Sequence, residues 1–211
     1  MRYQAVIFDL DGVICHTDEY HYVAWQQIAE ELKIPFTREI NDKMRGIDRM
    51  ASLDILMQAS GRVFSDDIKT YYADKKNDIY RKLLHNLSEA DLDTDVKETL
   101  TGLRGEGLKL AIGSSSKNSK LILSHLGLGT FFDAVSDGTN ATHAKPDPEI
   151  FLKAASMLAI EAAHCLVVED AKAGLLAAKA AGMDSAAVGD ARNYRLANYS
   201  LEKLSDLLKF V

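Results

Sequence analysis

Residues 3–12 read YQAVIFDLDG, an apolar run from Tyr3 to Phe8 rich in strand-forming residues that stops at Asp9 and turns at Gly12. A run this short and apolar, bounded by acidic residues and glycine, reads as a buried strand ending in a turn. Residues two apart on an extended chain point the same way, so Asp9 and Asp11 face one crevice together.

Working outward, similar runs recur at Leu108 to Ile112 before GSSSKN, Ala134 to Val135 before Ser-Asp-Gly, Cys165 to Val168 before Glu-Asp, and Ser185 to Val188 before Gly-Asp. Helical patterns separate them: Val96, Leu100 and Leu103 share one face, Ile150, Phe151, Ala154 and Leu158 another, and AKAGLLAAKAAG is a strong helix former. Strand then helix, repeated, predicts a Rossmann-like α/β core built on a parallel sheet. Ligands of such sheets sit beyond the carboxyl ends of the strands, where these acidic, Ser and Gly residues fall.

Residues 17–88 break the alternation. Trp25, Ile28, Ala29 and Leu32 precede Pro35 at helical spacing, Leu53, Leu56 and Met57 precede Gly61, and Ile68, Tyr71, Tyr72, Ile79 and Leu83 mark a third helix. No strand intervenes, so this is an inserted all-α helical cap, residues 17–88, on a core formed by 1–16 and 89–211. It lies over the end of the first strand, the position of a lid that excludes water.

Composition agrees with one core plus an inserted module: 211 residues against about 150 for a usual domain. With 25 Lys plus Arg against 31 Asp plus Glu, the formal charge is −6, which argues against coating nucleic acid. A hydrophobic share of 47% with 27% charged residues leaves no compositional case for disorder. Two cysteines, Cys15 and Cys165, make at most one bridge, and a reducing cytoplasm is the expected compartment. No stretch reaches the ~18 apolar residues of a membrane span, no signal-peptide pattern opens the chain, and no repeat is present.

Four motifs carry chemistry. Asp9 and Asp11 can divide the labour of nucleophile or metal ligand and general acid, if their environments separate their proton affinities. GSSS at 113–116, followed by Lys117 and Asn118, offers hydroxyls and backbone N–H groups to phosphate oxygens. Lys145 in AKPDP brings a positive charge to a rigid turn. Glu169 and Asp170 end an apolar strand, and Mg²⁺ wants a few carboxylates with water and phosphate completing its shell. Taken singly, each has a plainer reading: turn-capping carboxylates, a helix N-cap, a surface lysine, acids complementing a helix dipole. Four in this order do not.

FDLDG, GSSS, AKPDP and VVEDA occur in the order and spacing of the haloacid dehalogenase superfamily phosphotransferases, which the whole chain resembles. Within it the cap is similar to that of the β-phosphoglucomutases, through DGV with TDEYHYVAW (17–25), MRGIDRMASL (44–53), YYADKKNDIY (71–80) and SSSKN (114–118). The resemblance implies that Asp9 becomes an aspartyl phosphate while Asp11 protonates the leaving sugar oxygen and later deprotonates the attacking one. Mg²⁺ would be held by Asp9, the Asp11 carbonyl and Asp170, with Glu169 assisting directly or from behind. Ser114, Ser115 and Lys145 would bind the transferring phosphoryl. Arg49 would take a second phosphate, with Ser116, Lys117 and Asn118 from the core. His21 and Lys76 would position the sugar and Asp11, and Thr17, Trp25, Arg45, Gly46 and Ser52 would serve the sugar side of the pocket, although Trp25 also lies on its helix's apolar stripe.

The implied reaction interconverts β-D-glucose 1-phosphate and glucose 6-phosphate through glucose 1,6-bisphosphate, in a monomer whose partner is a small sugar phosphate rather than nucleic acid or membrane. Rival readings are a sugar-phosphate phosphatase with a wetter cap and a non-catalytic phosphosugar-binding module. Binding alone needs no nucleophile beside an acid, and a dehalogenase has no leaving oxygen for Asp11 to protonate. The remaining histidines, 16, 85, 125, 143 and 164, show no metal-ligand spacing with the cysteines and are expected to be structural or solvent-exposed, and Tyr71, Tyr72 and Tyr80 are expected to pack. The chain departs from the family pattern at Cys15-His16, at Arg45 where lysine is common, and at Thr94-Asp95 where Pro-Gly is frequent.

Overall fold

The computed structural model describes residues 2–211. The five apolar runs become β1 (Ala5–Phe8), β2 (Lys109–Gly113), β3 (Ala134–Ser136), β4 (Cys165–Glu169) and β5 (Asp184–Ala187), and a two-residue β6 (Tyr199–Ser200) follows that hydrophobic pattern did not mark. All pair in parallel in the order β3-β2-β1-β4-β5-β6, with Phe8 level with Ile112 on one side and Val168 on the other. The strand order reverses beside β1, and a crevice opens at such a switch.

Alternation along the strands builds two cores. Val6, Phe8, Leu110, Ile112, Leu166 and Val168 face α5 (Thr94–Gly105) and α6 (Ser119–His125), contacting Leu100, Leu103, Ile122 and Leu123. Ala5, Ile7, Ala111, Cys165 and Val167 face α7 (Glu149–Leu158) and α8 (Lys172–Ala180), against Phe151, Ala154 and Ala177. The Thr94-Asp95 start of α5 is capped by Asp93, which accepts from the Asp95 N–H at 2.7 Å. Cys15 and Cys165 are both free and buried.

Between β1 and α5 lie α1 (Asp18–Leu32), α2 (Arg38–Asp42), α3 (Arg49–Gln58) and α4 (Asp66–Leu84). Trp25, Ile28, Ala29, Leu53, Leu56, Met57 and Ala73 form their apolar centre. The five-residue α2 was not anticipated; it is too short to show a period and is set by Thr37, whose hydroxyl accepts from the Ile40 N–H. The inward face of α4 also differs from expectation. Ile68 and Tyr71 are 43% and 57% exposed, whereas Ala73, Lys76, Tyr80 and Leu84 are buried. This helix roofs a polar cavity, so apolarity does not identify its inner face. No helix among the described residues is long and apolar enough to cross a membrane.

The first turns of α8 are fitted around a charge. A Cβ on Gly174 would lie 1.7 Å from Oε1 of Glu169, and both oxygens of that carboxylate are already held, by Lys145 and by the Ala171 N–H. Helix propensity alone favours Gly174→Ala by about 1 kcal/mol, but overpacking a fixed group costs about 1–3 kcal/mol. The variant should therefore unfold at lower urea concentration than wild type. A higher midpoint would show that Glu169 can move aside.

Candidate active site

The floor lies where β1, β2 and β4 end. Asp9 continues the ladder, its N–H donating to the Val168 carbonyl at 2.9 Å. Beneath it sits Lys145, its side chain fully buried, with Nζ 2.5 Å from Asp9 Oδ1 and 2.7 Å from Glu169 Oε1. Burial alone would lower the lysine's proton affinity, but these two carboxylates more than reverse it and keep it charged. Burial raises Asp9 to about 7, with Glu169 and Asp11 pushing the same way against Lys145. Neither Lys145 nor Glu169 reaches the cavity wall. Lys145 thus contacts Asp9 from below rather than facing the cavity, and Glu169, with both oxygens engaged by Lys145 and the Ala171 N–H, lies behind Asp9 and is likewise turned from the cavity.

Asp170 does line the cavity. Burial pushes it up to about 8, helped by Glu169 and Asp9 and opposed by Arg45. Gly12, at φ +91°, lets this carboxylate close on the turn: a Cβ there would lie 2.2 Å from Asp170 Oδ2. Asp9 and Asp170 therefore present hard oxygens beside the backbone of residues 11–12, with more negative charge than Lys145 offsets. That donor set fits Mg²⁺.

Arg45 has a different place from the one expected. It lines the cavity, but its guanidinium is held by Asp170 at 2.7 Å, Asp190 at 3.0 Å and Asp18 at 3.3 Å. It staples the α2–α3 loop to the core instead of offering a free donor to a sugar.

Asp11 is raised to about 6, mainly by burial, with the Thr17 hydrogen bond opposing. The Thr17 hydroxyl donates to Asp11 Oδ1 and accepts from the Tyr80 hydroxyl at 2.9 Å. Thr17 is fully buried and off the cavity wall, so it contacts Asp11 rather than substrate. Tyr80, expected only to pack, lines the cavity and stacks against His21 with ring centres 4.0 Å apart. No hydrophobic signal separates it from Tyr71 or Tyr72; only its position one turn beyond Lys76 could have found it.

His21 and Lys76 form a pair, Nδ1 to Nζ at 2.7 Å. Burial, then Arg49, lowers Lys76 to about 7, while burial and the two neighbouring cations hold His21 well below its ordinary value. A neutral imidazole therefore accepts from the lysine. Trp25 is both cap core and cavity wall, with Lys76 Nζ 4.9 Å from its ring centre. Ser52 lines the cavity but gives its hydroxyl proton to the Asp48 carbonyl. Arg49 has one weak partner, Asp74 at 3.5 Å, and burial lowers its proton affinity despite three nearby carboxylates.

The loop after β2 completes the wall. Ser114 Oγ accepts from the Ser116 N–H at 3.1 Å, Ser115 Oγ donates to the Gly46 carbonyl at 3.3 Å, and Asn118 Nδ2 donates to Asn77 Oδ1 at 2.9 Å. The last two contacts join core to cap. The cavity is about 340 Å³ and brings together Asp9, Asp11, Asp170, residues 114–118 and the cap groups His21, Trp25, Arg45, Gly46, Arg49, Ser52 and Lys76. It also includes Asp18, Asn41, Met44 and Asn77, whose inward orientation follows from tertiary packing alone.

The profile of the haloacid dehalogenase-like hydrolases matches residues 6–188. The chain is 40% identical over 206 residues to a β-phosphoglucomutase of Bacillus subtilis, covering 97% of this chain and 91% of that one. It is 30% identical to a phosphorylated carbohydrates phosphatase of Thermotoga maritima, over 86% and 82%. A solved β-phosphoglucomutase from Clostridium difficile superposes with a TM-score of 0.92 at 35% identity, over 97% and 93% of the two chains. The chain belongs to the haloacid dehalogenase-like hydrolase family.

Proposed function

We propose that the chain is a Mg²⁺-dependent β-phosphoglucomutase in which residues 17–88 cap a core of 1–16 and 89–211, Met1 lying outside the described residues. One observation carries this reading. A single cavity is lined by groups suited to phosphate from both sides, Asp9 and residues 114–118 from the core and Arg49 from the cap. Arg49 is half-buried and its one paired carboxylate, Asp74, is 3.5 Å away, so its guanidinium fork is open to a closer, bidentate phosphate. The near full-length likeness to a β-phosphoglucomutase supports the same reading.

In this reading a phospho-Asp9 enzyme meets β-D-glucose 1-phosphate. Asp11 takes the proton of the sugar's 6-hydroxyl as that oxygen bonds phosphorus and the bond from phosphorus to Asp9 breaks, giving glucose 1,6-bisphosphate. The bisphosphate turns end for end. Asp9 then attacks the 1-phosphoryl and Asp11 returns its proton to the leaving sugar oxygen, releasing glucose 6-phosphate. Asp9, the Asp11 carbonyl and Asp170 would hold Mg²⁺, which when bound offsets repulsion between carboxylate and phosphoryl. Lys145 favours the charged form of Asp9 from below, and Ser114 and Ser115 would meet the equatorial oxygens.

The deciding measurement supplies β-glucose 1-phosphate with catalytic bisphosphate and quantifies glucose 6-phosphate and inorganic phosphate together. Wild type should form mostly glucose 6-phosphate; predominant inorganic phosphate would install the phosphatase reading. Arg49→Ala removes a charge-assisted contact of about 1.5–3 kcal/mol, or roughly 10–100-fold in transfer. Attack by water needs no orientation by the cap, so hydrolysis should hold steady or rise. Equal loss in both channels would make Arg49 a general binding residue.

The metal assignment predicts a pH-dependent thermal shift. Before binding, Asp9 at about 7 and Asp170 at about 8 both carry protons in mildly acidic buffer, and Mg²⁺ must displace them. Mg²⁺ should therefore raise the melting temperature more near about pH 9 than near about pH 5.5, and Asp170→Ala should abolish the rise. An equal shift at both pH values, or one that survives in Asp170→Ala, counts against these ligands.

A further inference from the structure

Tyr80 has a hydroxyl that packing does not require, and that hydroxyl ends a short chain leading to Asp11. Tyr80 Oη donates to Thr17 Oγ1 at 2.9 Å, and Thr17 Oγ1 donates to Asp11 Oδ1. Both side chains are buried, so water does not compete. The tyrosine ring is held by His21 stacked at 4.0 Å and by Lys76 Nζ at 4.7 Å. Burial, and then the negative charge of Asp11, raises the phenol well above its ordinary range, so it keeps its proton.

A threonine hydroxyl has one proton. Because Thr17 accepts from Tyr80, its own proton is directed at Asp11 Oδ1, which must then be an acceptor. We propose that Tyr80 is a positioning residue for the phosphoryl-transfer reaction. Through Thr17 it reserves Oδ1 of Asp11 as an acceptor and leaves Oδ2 as the oxygen that carries the proton to and from the sugar. This rests on the reading of Asp11 as the general acid and base. Without the tyrosine hydroxyl, Thr17 can turn, Oδ1 loses its enforced donor, and the Asp11 carboxyl is free to rotate.

The test reads phosphoenzyme formation in a single turnover from two kinds of donor. β-Glucose 1,6-bisphosphate needs its leaving oxygen protonated; 4-nitrophenyl phosphate does not, because nitrophenolate leaves as an anion. A general acid contributes about 10²–10⁴ in rate, and Tyr80→Phe should lose roughly tenfold or more of that with the sugar donor while the aryl donor changes far less. Thr17→Val should be at least as slow on the sugar, and Thr17→Ser should recover most of the rate. If Tyr80→Phe fails to fold, the Thr17→Ser and Thr17→Val pair decides. Equal slowing with both donors would make Tyr80 a packing residue, and no slowing would make the chain idle; either overturns the proposal. If wild type took phosphate from a ketose 1-phosphate but not from β-glucose 1,6-bisphosphate, the mutase reading would fall. The Tyr80 comparison would then be made on the ketose donor.

Discussion

Lys145 is the charge around which the core is arranged. Its ammonium group bridges Asp9 at the end of β1 and Glu169 at the end of β4, from the segment that follows β3. Removing ions of this size from water costs several kcal/mol each, recovered only by close pairing. That pairing requires β1 and β4 to be neighbours in register, the 137–148 segment to run beneath them, and the first turn of α8 to hold a residue, Gly174, small enough to clear Glu169. One lysine cannot neutralise two carboxylates, so the excess negative charge faces upward to Asp170 and Asp11. The same geometry that makes the interior tolerable makes the floor attractive to a divalent cation.

The cap carries the opposite sign. Lys76 and Arg49 are drawn in from water, and each has its proton affinity lowered by burial and, for Lys76, by the other cation. Neither meets a carboxylate at close range, unlike Arg45, which meets three. A roof of under-compensated cations over a floor of under-compensated carboxylates suits a ligand that is anionic at both ends, one end shared with a metal and the other held by an arginine.

Much of this could be read before the fold was seen, for a definite reason. Buried parallel strands are apolar throughout and end at functional residues, so β1, β2, β4 and β5 and the residues just beyond them announce themselves together. The cap is less legible. Three of its helices follow hydrophobic period, but the inner face of α4 carries Lys76, Asn77 and Tyr80, and a polar cavity wall looks like a solvent face. Arg45, Thr17 and Glu169 were identified as belonging to the site, yet their tasks depend on partners far away in sequence. Asp190, 145 residues from Arg45, has no local mark of its role. β6 is two residues long and is held by its neighbour β5, not by any pattern of its own.

Cap and core meet through two kinds of contact, and the two differ in what it costs to break them. Along the rim, Ser115 meets Gly46, Asn118 meets Asn77, and Arg45 meets Asp170 and Asp190. Such contacts are worth about 0.5–1.5 kcal/mol each, less where exposed, because water replaces them. At the other end Tyr80, Leu84 and Ala24 are buried in one cluster with Val13, Ile14 and Cys15, and burying each large apolar side chain contributes about 1.5–3 kcal/mol. Burial, then Asp11, raises the Cys15 thiol well above its ordinary value, so at this departure from the family pattern the side chain stays neutral. Parting the rim therefore costs less than parting the apolar end. Tyr80 belongs to that apolar end, so the hydrogen-bonded chain it makes through Thr17 to Asp11 is anchored by the contacts that are hardest to break.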